Sequence, residues 1–226
     1  MKVTYYGHAC FAAQVSNRTL LFDPFITGNE LAKAIDVGKV SADYILISHG
    51  HGDHIGDAVS IAKRTGATII SNFEIIAWFA DQGIQKGHPL NHGGGHSFEF
   101  GRVKLVNAIH SSSLPDGTYG GNPGGFVVES AEANFYYSGD TALTMDMKFI
   151  GDSVDLRFAA LCIGDNFTMG VDDAVAAAKL VRCNQVLGVH YNTFPPIRID
   201  EAAAVQKFKK AGKNLHLLAP GGNHNF

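Results

Sequence analysis

The run Ser48-His49-Gly50-His51-Gly52-Asp53-His54 stands directly after the apolar segment Tyr44-Ile45-Leu46-Ile47 and directly before a segment with helical spacing. No other stretch narrows the fold so far. A β-branched run that ends in a histidine-rich turn sets donor side chains at a strand end, where rigid backbone fixes their directions. Alternate residues of an extended chain point the same way, so His49 and His51 can address one metal ion. Asp53 and His54, on the turn that follows, can address another. Gly50 and Gly52 let the backbone bend closely around the ions.

A site for two ions needs more than four ligands, and the chain supplies three further candidates. His110 follows Val103–Ile109, Asp140 follows Tyr136-Tyr137-Ser138-Gly139, and His190 follows Val186–Val189, so each ends an apolar strand. Other residues carry two readings each. Asp23, before Pro24, is either an ordinary turn residue or a carboxylate that orients a ligand histidine. Asp165 either caps the turn Asn166–Gly170, or transfers protons in catalysis or supports a ligand from behind. His8 is a structural partner near the site or a substrate contact, and Asn192, just beyond His190, is grouped with His8 and Asp23.

Composition decides what surrounds this site. Of 226 residues 46% are hydrophobic and 17% charged, with a formal net charge of −3, so the chain has the means to bury a core and is not disordered. No uncharged apolar run reaches the roughly 18 residues of a membrane span, and the first fifteen residues do not form a signal peptide. Cys10, Cys162 and Cys183 are odd in number and far apart, which argues against a disulfide framework and for a reducing cytoplasm. Eighteen Lys and Arg against 21 Asp and Glu, with no basic block longer than Lys209-Lys210, make nucleic acid an unsuitable partner. The Gly120–Gly125 loop lacks the lysine and hydroxyl of a P-loop and the order of a dinucleotide site. A small-molecule substrate is expected, and a homo-oligomer stays open.

Alternation and β-branched or aromatic runs predict strands at 2–6, 10–15, 19–22, 44–48, 68–71, 103–108, 125–129, 134–138, 157–162, 186–190 and 215–219. Helical spacing predicts helices at 29–37, 57–65, 74–82, 171–181 and 200–211. That order is neither a pure βαβ repeat nor an all-β sandwich, and it favours a layered α/β sandwich in one domain, 1–226. No period of 20–50 residues repeats. His88, His92 and His96 have helical spacing, but Pro89 and Gly93-Gly94-Gly95 exclude a helix; they read as solvated loop histidines, or else as a flap over the site.

These segments together resemble the metallo-β-lactamase superfold, in particular its small UPF0173-like branch of cytoplasmic metal-dependent hydrolases, related to sugar-phosphate lactonases. The resemblance rests on Gly7-His8, Asp23–Asn29, His49–His54, His110–Ser113, Gly139–Thr141, Gly164–Gly170 and His190–Pro195, and so covers nearly the whole chain. It implies a four-layer αβ/βα sandwich with the metals at one edge: His49, His51 and His110 on one ion, Asp53, His54 and His190 on the other, and Asp140 bridging. Two divalent ions are implied, zinc by the imidazole-rich donor set, with manganese, iron or nickel as alternatives. The reaction implied is hydrolysis of an ester, lactone or phosphodiester. A non-catalytic metal-binding or interaction protein is the alternative. A di-iron oxidoreductase fits less well, because His51 stands where such enzymes carry glutamate. The tail Asn223-His224-Asn225-Phe226 has no counterpart in the resemblance.

Overall fold

The computed structural model describes residues 1–226. Its first half lays down β1 (Lys2–Gly7), β2 (Cys10–Val15), β3 (Arg18–Phe22), β4 (Tyr44–Leu46), β5 (Thr68–Asn72) and β6 (Gly87–Leu90). Its second half lays down β7 (Gly95–Phe98), β8 (Gly101–Asn107), β9 (Gly124–Glu129), β10 (Phe135–Tyr137), β11 (Phe158–Cys162), β12 (Gln185–Val189) and β13 (Asn214–His216). The last strand, β14 (Asn223–Asn225), crosses back to the first sheet. Two seven-stranded sheets result, ordered β14-β1-β2-β3-β4-β5-β6 and β13-β12-β11-β10-β9-β8-β7.

Strand alternation explains why the sheets face each other. In β11, Phe158 and Ala160 point into the core between the sheets, whereas Ala159 and Leu161 point outward to helices, and all four are fully buried. The inter-sheet core is aromatic. Phe11 stacks on Phe22 at 4.4 Å, Phe22 meets Phe135 edge-on at 5.8 Å, and Phe135 stacks on Phe158 at 4.8 Å. Helices α1 (Gly52–Ile55), α2 (Ala58–Thr65) and α3 (Phe73–Asp81) cover the first sheet, and α4 (Asp146–Ser153), α5 (Val171–Leu180) and α6 (Glu201–Lys210) cover the second. The expected four-layer αβ/βα sandwich is what the chain forms.

Every strand expected from the sequence is present, with shifted ends. Three were not foreseen. β6 and β7 are edge strands rich in glycine and histidine, and Pro89 is tolerated only because β6 has an unpaired side. β14 is the tail, paired antiparallel to β1 with Val3 opposite His224. The helix expected at 29–37 is instead two 3₁₀ turns, Glu30–Ala32 and Val37–Lys39. Asn29 and Asp36 cause this, since each side chain accepts the N–H two residues on and offers the backbone a tight turn in place of a helix. α4 escaped notice because it is short, contains Gly151 and has no side-chain cap.

Three parallel strands of the first sheet, β3, β4 and β5, run with their C-terminal ends toward one rim. β10, β11 and β12 of the second sheet are likewise parallel to one another. Loops leaving the C-terminal ends of β3, β4, β8, β10 and β12 carry Asp23, His49, His110, Asp140 and His190, so the donors converge on one rim of the sandwich.

Candidate metal centre

β4 ends at Leu46, and the chain is held straight for two more residues: Ile47 N–H donates to Ile70 O at 3.0 Å and Ser48 N–H to Asp23 Oδ1 at 2.8 Å. This delivers His49 and His51 to the rim. His51 then begins α1, whose single turn places Asp53 and His54 beside them, with His54 N–H donating back to His51 O at 3.0 Å. Asp140 reaches the rim through Gly139, whose φ is +59°. A Cβ at Gly139 would lie 2.5 Å from Gly124 O and 2.9 Å from Ser48 Cβ, so no other residue fits there. His190, at φ +57°, is fixed by its own N–H, which donates to His8 O at 2.8 Å.

Six of the seven candidate ligands, joined by His8, come together in two groups. One donor atom from each of His49, His51 and His110 lies within 4.8 Å of the others, and so does one from each of His8, Asp53, His54 and His190. Asp140 stands between the groups. Its Oδ2 lies 3.0 Å from His190 Nε2, 3.3 Å from His54 Nε2, 3.7 Å from His110 Nε2 and 4.0 Å from His49 Nε2. His49, His54, His190 and Asp140 are buried, while His51, His110 and Asp53 are partly open, so solvent reaches the cluster past those three.

Hydrogen bonds select which nitrogen faces inward. Asp23 Oδ2 receives His54 Nδ1 at 2.7 Å, the Tyr137 hydroxyl at 2.6 Å and the Ser48 hydroxyl at 2.5 Å. His54 therefore presents Nε2 to the cluster. The Ser48 hydroxyl, having donated to Asp23, accepts from His49 Nδ1 at 3.0 Å, which leaves His49 Nε2 as an inward lone pair. That Nε2 lies 2.9 Å from His51 Nδ1, close to the spacing of two ligands on one ion bound at about 2.0–2.1 Å.

Electrostatics follow from burial and crowding. Burial pushes His49 well below the ordinary imidazole range and lowers His51 and His110 as well, so their lone pairs are free. Burial works against the charged forms of His54 and Asp140 too. There it loses: Asp140 and Asp23 hold His54 well above its usual range, and His190 and His54 hold the Asp140 carboxyl well below its own. His54 Nε2 and Asp140 Oδ1 are buried with no hydrogen-bond partner. These two and His190 Nδ1, a third buried atom without a partner, lie amid six imidazoles and two carboxylates, a donor set that fits bound metal.

The remaining expected residues fall in different places. His8 is fully buried, donates Nε2–H to Asp53 Oδ2 at 3.2 Å and accepts the Thr193 hydroxyl at Nδ1 at 2.9 Å. Burial lowers its pKa to about 4, so it is neutral, and the hydrogen bond from His8 helps hold Asp53 below the ordinary carboxyl range against the opposing effect of burial. Asn192 is directed elsewhere: Oδ1 accepts Ile199 N–H and Nδ2 donates to Glu201, so its side chain shapes the loop after β12. Asp165 joins neither donor group. It is exposed, has φ +63°, and accepts the Asn166 N–H at 2.8 Å. His88, His92 and His96 join neither donor group; His88 lies on β6, His96 on β7 and His92 on the loop between them. Ser48, Tyr137 and Thr193 were missed as partners of the site, because a hydroxyl in or beside an apolar strand carries no signal until its neighbour across the fold is known.

Comparison with known proteins agrees with this geometry. The Beta-lactamase superfamily domain matches residues 2–190. A "UPF0173 metal-dependent hydrolase" of Flavobacterium johnsoniae is 53% identical over 98% of both chains. The chain belongs to this family of metal-dependent hydrolases. Another UPF0173 metal-dependent hydrolase, from Thermus thermophilus, is 48% identical over 98% of this chain and 97% of its own. The solved structure of Igni18, described as a metallo hydrolase from Ignicoccus hospitalis, superimposes with a TM-score of 0.90 at 36% identity, covering 100% of this chain and 98% of that one. The β-lactamase superfamily fold thus extends over β14, which lies beyond the residues that the domain matches.

Proposed function

We propose that the chain is a cytoplasmic hydrolase of a small ester or lactone, working with two divalent transition-metal ions, zinc for preference. The observation that carries the substrate class is the charge of the rim. The segments 7–9, 23–29, 48–57, 108–124, 138–145 and 189–197, which carry or adjoin the cluster residues, contain no lysine or arginine; Arg198, further along the loop of His190, is exposed and lines a separate cavity with Asp165 and Lys207. Sites that recognise phosphate usually supply such cations or a helix N-terminus made for the purpose. An electrically neutral carbonyl needs neither. Exposed Ile109 and Tyr119, on the loop that carries His110, offer apolar contact to the rest of the substrate.

His49, His51 and His110 would hold the first ion, Asp53, His54 and His190 the second, and Asp140 both. Bound there, such ions supply a Lewis acid for the scissile carbonyl and a water acidified toward a pKa of roughly 7. The chain's own residues do the rest. Asp23 and Ser48 keep His54 and His49 in the tautomers that face inward, and the buried wall of His8, His190 and Asp140 keeps bulk water from one side. No side-chain base is required, and Asp165, exposed and outside both donor groups, is not needed as one. Three unpaired, buried cysteines are consistent with a reducing compartment. No helix is long and apolar enough to cross a membrane.

The test is a panel of lactones, carboxylic esters and phosphodiesters offered to the zinc-loaded protein and to Asp165→Asn. Turnover of esters or lactones at least ~100-fold above phosphodiesters, unchanged by Asp165→Asn, is expected. Preference for phosphodiesters would overturn the substrate class, and loss of turnover in Asp165→Asn would restore that residue as general base.

A further inference from the structure

Eleven histidines are present, and six of them belong to the cluster. The other five all lie in two copies of one pattern. His88-Pro-Leu-Asn-His92-Gly93-Gly94-Gly-His96-Ser-Phe98 and His216-Leu-Leu-Ala-Pro-Gly221-Gly222-Asn-His224-Asn-Phe226 share H-x-L-x-x-G-G-x-H-x-F. The copies are too far apart in the chain to register as a short-period repeat. Structure makes them equivalent as well. Each carries the chain from the edge strand of one sheet to the edge strand of the other, β6 to β7 and β13 to β14.

Backbone geometry repeats bond for bond. Gly93 and Gly221 have φ of +81° and +85°. Gly93 N–H donates to Leu105 O at 2.9 Å and Leu105 N–H to Gly94 O at 3.0 Å; Gly221 N–H donates to Tyr5 O at 2.7 Å and Tyr5 N–H to Gly222 O at 2.9 Å. As a result each edge of the sandwich brings two imidazoles together, one from each sheet. The ring centres of His88 and His96 are 4.1 Å apart and those of His216 and His224 are 4.2 Å apart, with Phe98 and Phe226 closing the core behind them.

The nitrogens of these rings are available. His88, His96 and His224 make no side-chain hydrogen bond within the protein, and no carboxylate pairs with any of the four. His216 donates Nε2–H to Gln185 Oε1 at 2.8 Å, which fixes the tautomer with its lone pair on Nδ1, the way a neighbouring acceptor orients a metal-ligating histidine. Burial and the partner imidazole both keep His88 and His216 on the neutral side.

We propose that each edge pair is a two-imidazole site for a divalent first-row transition-metal ion, and that such an ion clasps the two sheets together. The inference is independent of the hydrolase reading. Two protein ligands with water completing the shell bind far more weakly than the central cluster, so the clasps fill only when metal is abundant, and filling stabilises the folded chain by mass action. His92 is outside the pairs; its Nε2 donates to Pro123 O at 2.9 Å and anchors its loop.

The probe is nickel(II) alone, added to the full chain after zinc has filled the central cluster. Equilibrium dialysis at about 0.1 mM nickel followed by elemental analysis counts edge-bound ions, and thermal unfolding with and without nickel reads the clasp. Two nickel ions per chain beyond the central zinc are expected, with a nickel-dependent rise in Tm. His88→Gln with His96→Gln should remove one, and His216→Gln with His224→Gln the other, leaving zinc content unchanged. His96 is exposed, so His96→Gln alone, which folds without difficulty, should weaken nickel at its edge at least tenfold. Nickel content and the nickel-dependent Tm rise that are the same in these variants as in the unaltered chain would overturn the proposal, as would no edge-bound nickel in the unaltered chain.

Discussion

At the scale of single residues, the site is governed by which atom of each imidazole is already taken. His8 shows this most clearly. Its two nitrogens are committed, one to Asp53 and one to Thr193, and its carbonyl is held by the Tyr5 hydroxyl at 2.9 Å and the His190 N–H at 2.8 Å. A ring so constrained steers Asp53 through a hydrogen bond to one oxygen, leaving the other for an ion. Thr193→Val removes the hydroxyl that orients His8, so affinity for the second ion should fall about 10–100-fold while the first ion is kept. Competition with a chelator of known strength reads the two ions separately; equal affinities in the variant and the unaltered chain would show that Asp53 needs no such support. The same burial has a consequence for pH. In chelator-stripped protein, neutral His8 has a folded pKa of about 4 against 6.5 in the unfolded chain, so the unfolded chain takes up a proton first as pH falls. His8 therefore adds nothing unfavourable above pH 6.5 and lowers stability by up to about 3 kcal/mol as pH drops to about 4. His54, raised above 6.5, acts in the opposite sense and loses its stabilisation as pH rises. Urea midpoints measured across this range should decline from neutral pH toward pH 4.

At the scale of elements, strand ends carry the chemistry and turns decide whether the ends are reached. The His49–His54 turn was legible before any coordinates, since an apolar strand followed by alternating histidines has few other uses. His110, Asp140 and His190 were legible for the same reason. Asp165 was not, because a carboxylate before Asn166 reads equally as a cap or as a base until its partners are known. Edge strands were the other blind spot. β6, β7 and β14 bury little and need no strict alternation, so glycine and histidine hide them from a pattern search. Gly139 is the turn on which the bridge depends. Gly139→Ala drives a Cβ into Gly124 O and the Ser48 side chain, at a backbone angle alanine resists, and should cost at least about 2 kcal/mol and displace Asp140. Chemical denaturation with metal analysis in parallel checks both effects, and a variant that unfolds at the same midpoint with its metal intact would show the turn to be adaptable.

At the scale of the whole molecule, two sheets with their own aromatic core hold the cluster at one rim and the paired histidines at the two sides. The core gives the rim a rigid base: Phe22 and Phe135 are fully buried at the centre of their sheets, far more constrained than the loops they support. The layered fold was legible in full outline, whereas the crossing of the tail back to β1 was not, because nothing in Asn223–Phe226 shows which sheet it will join. The central claim is that seven side chains on this rim hold two ions with which the chain performs hydrolysis. Metal content and turnover of an ester or lactone, measured on one preparation after weakly held ions are washed away, test it most directly, with Asp140→Asn as the partner measurement. Close to two transition-metal ions per chain are expected, falling with turnover in Asp140→Asn while circular dichroism stays unchanged. One ion per chain in the unaltered protein, or two ions and undiminished turnover in Asp140→Asn, would contradict the account.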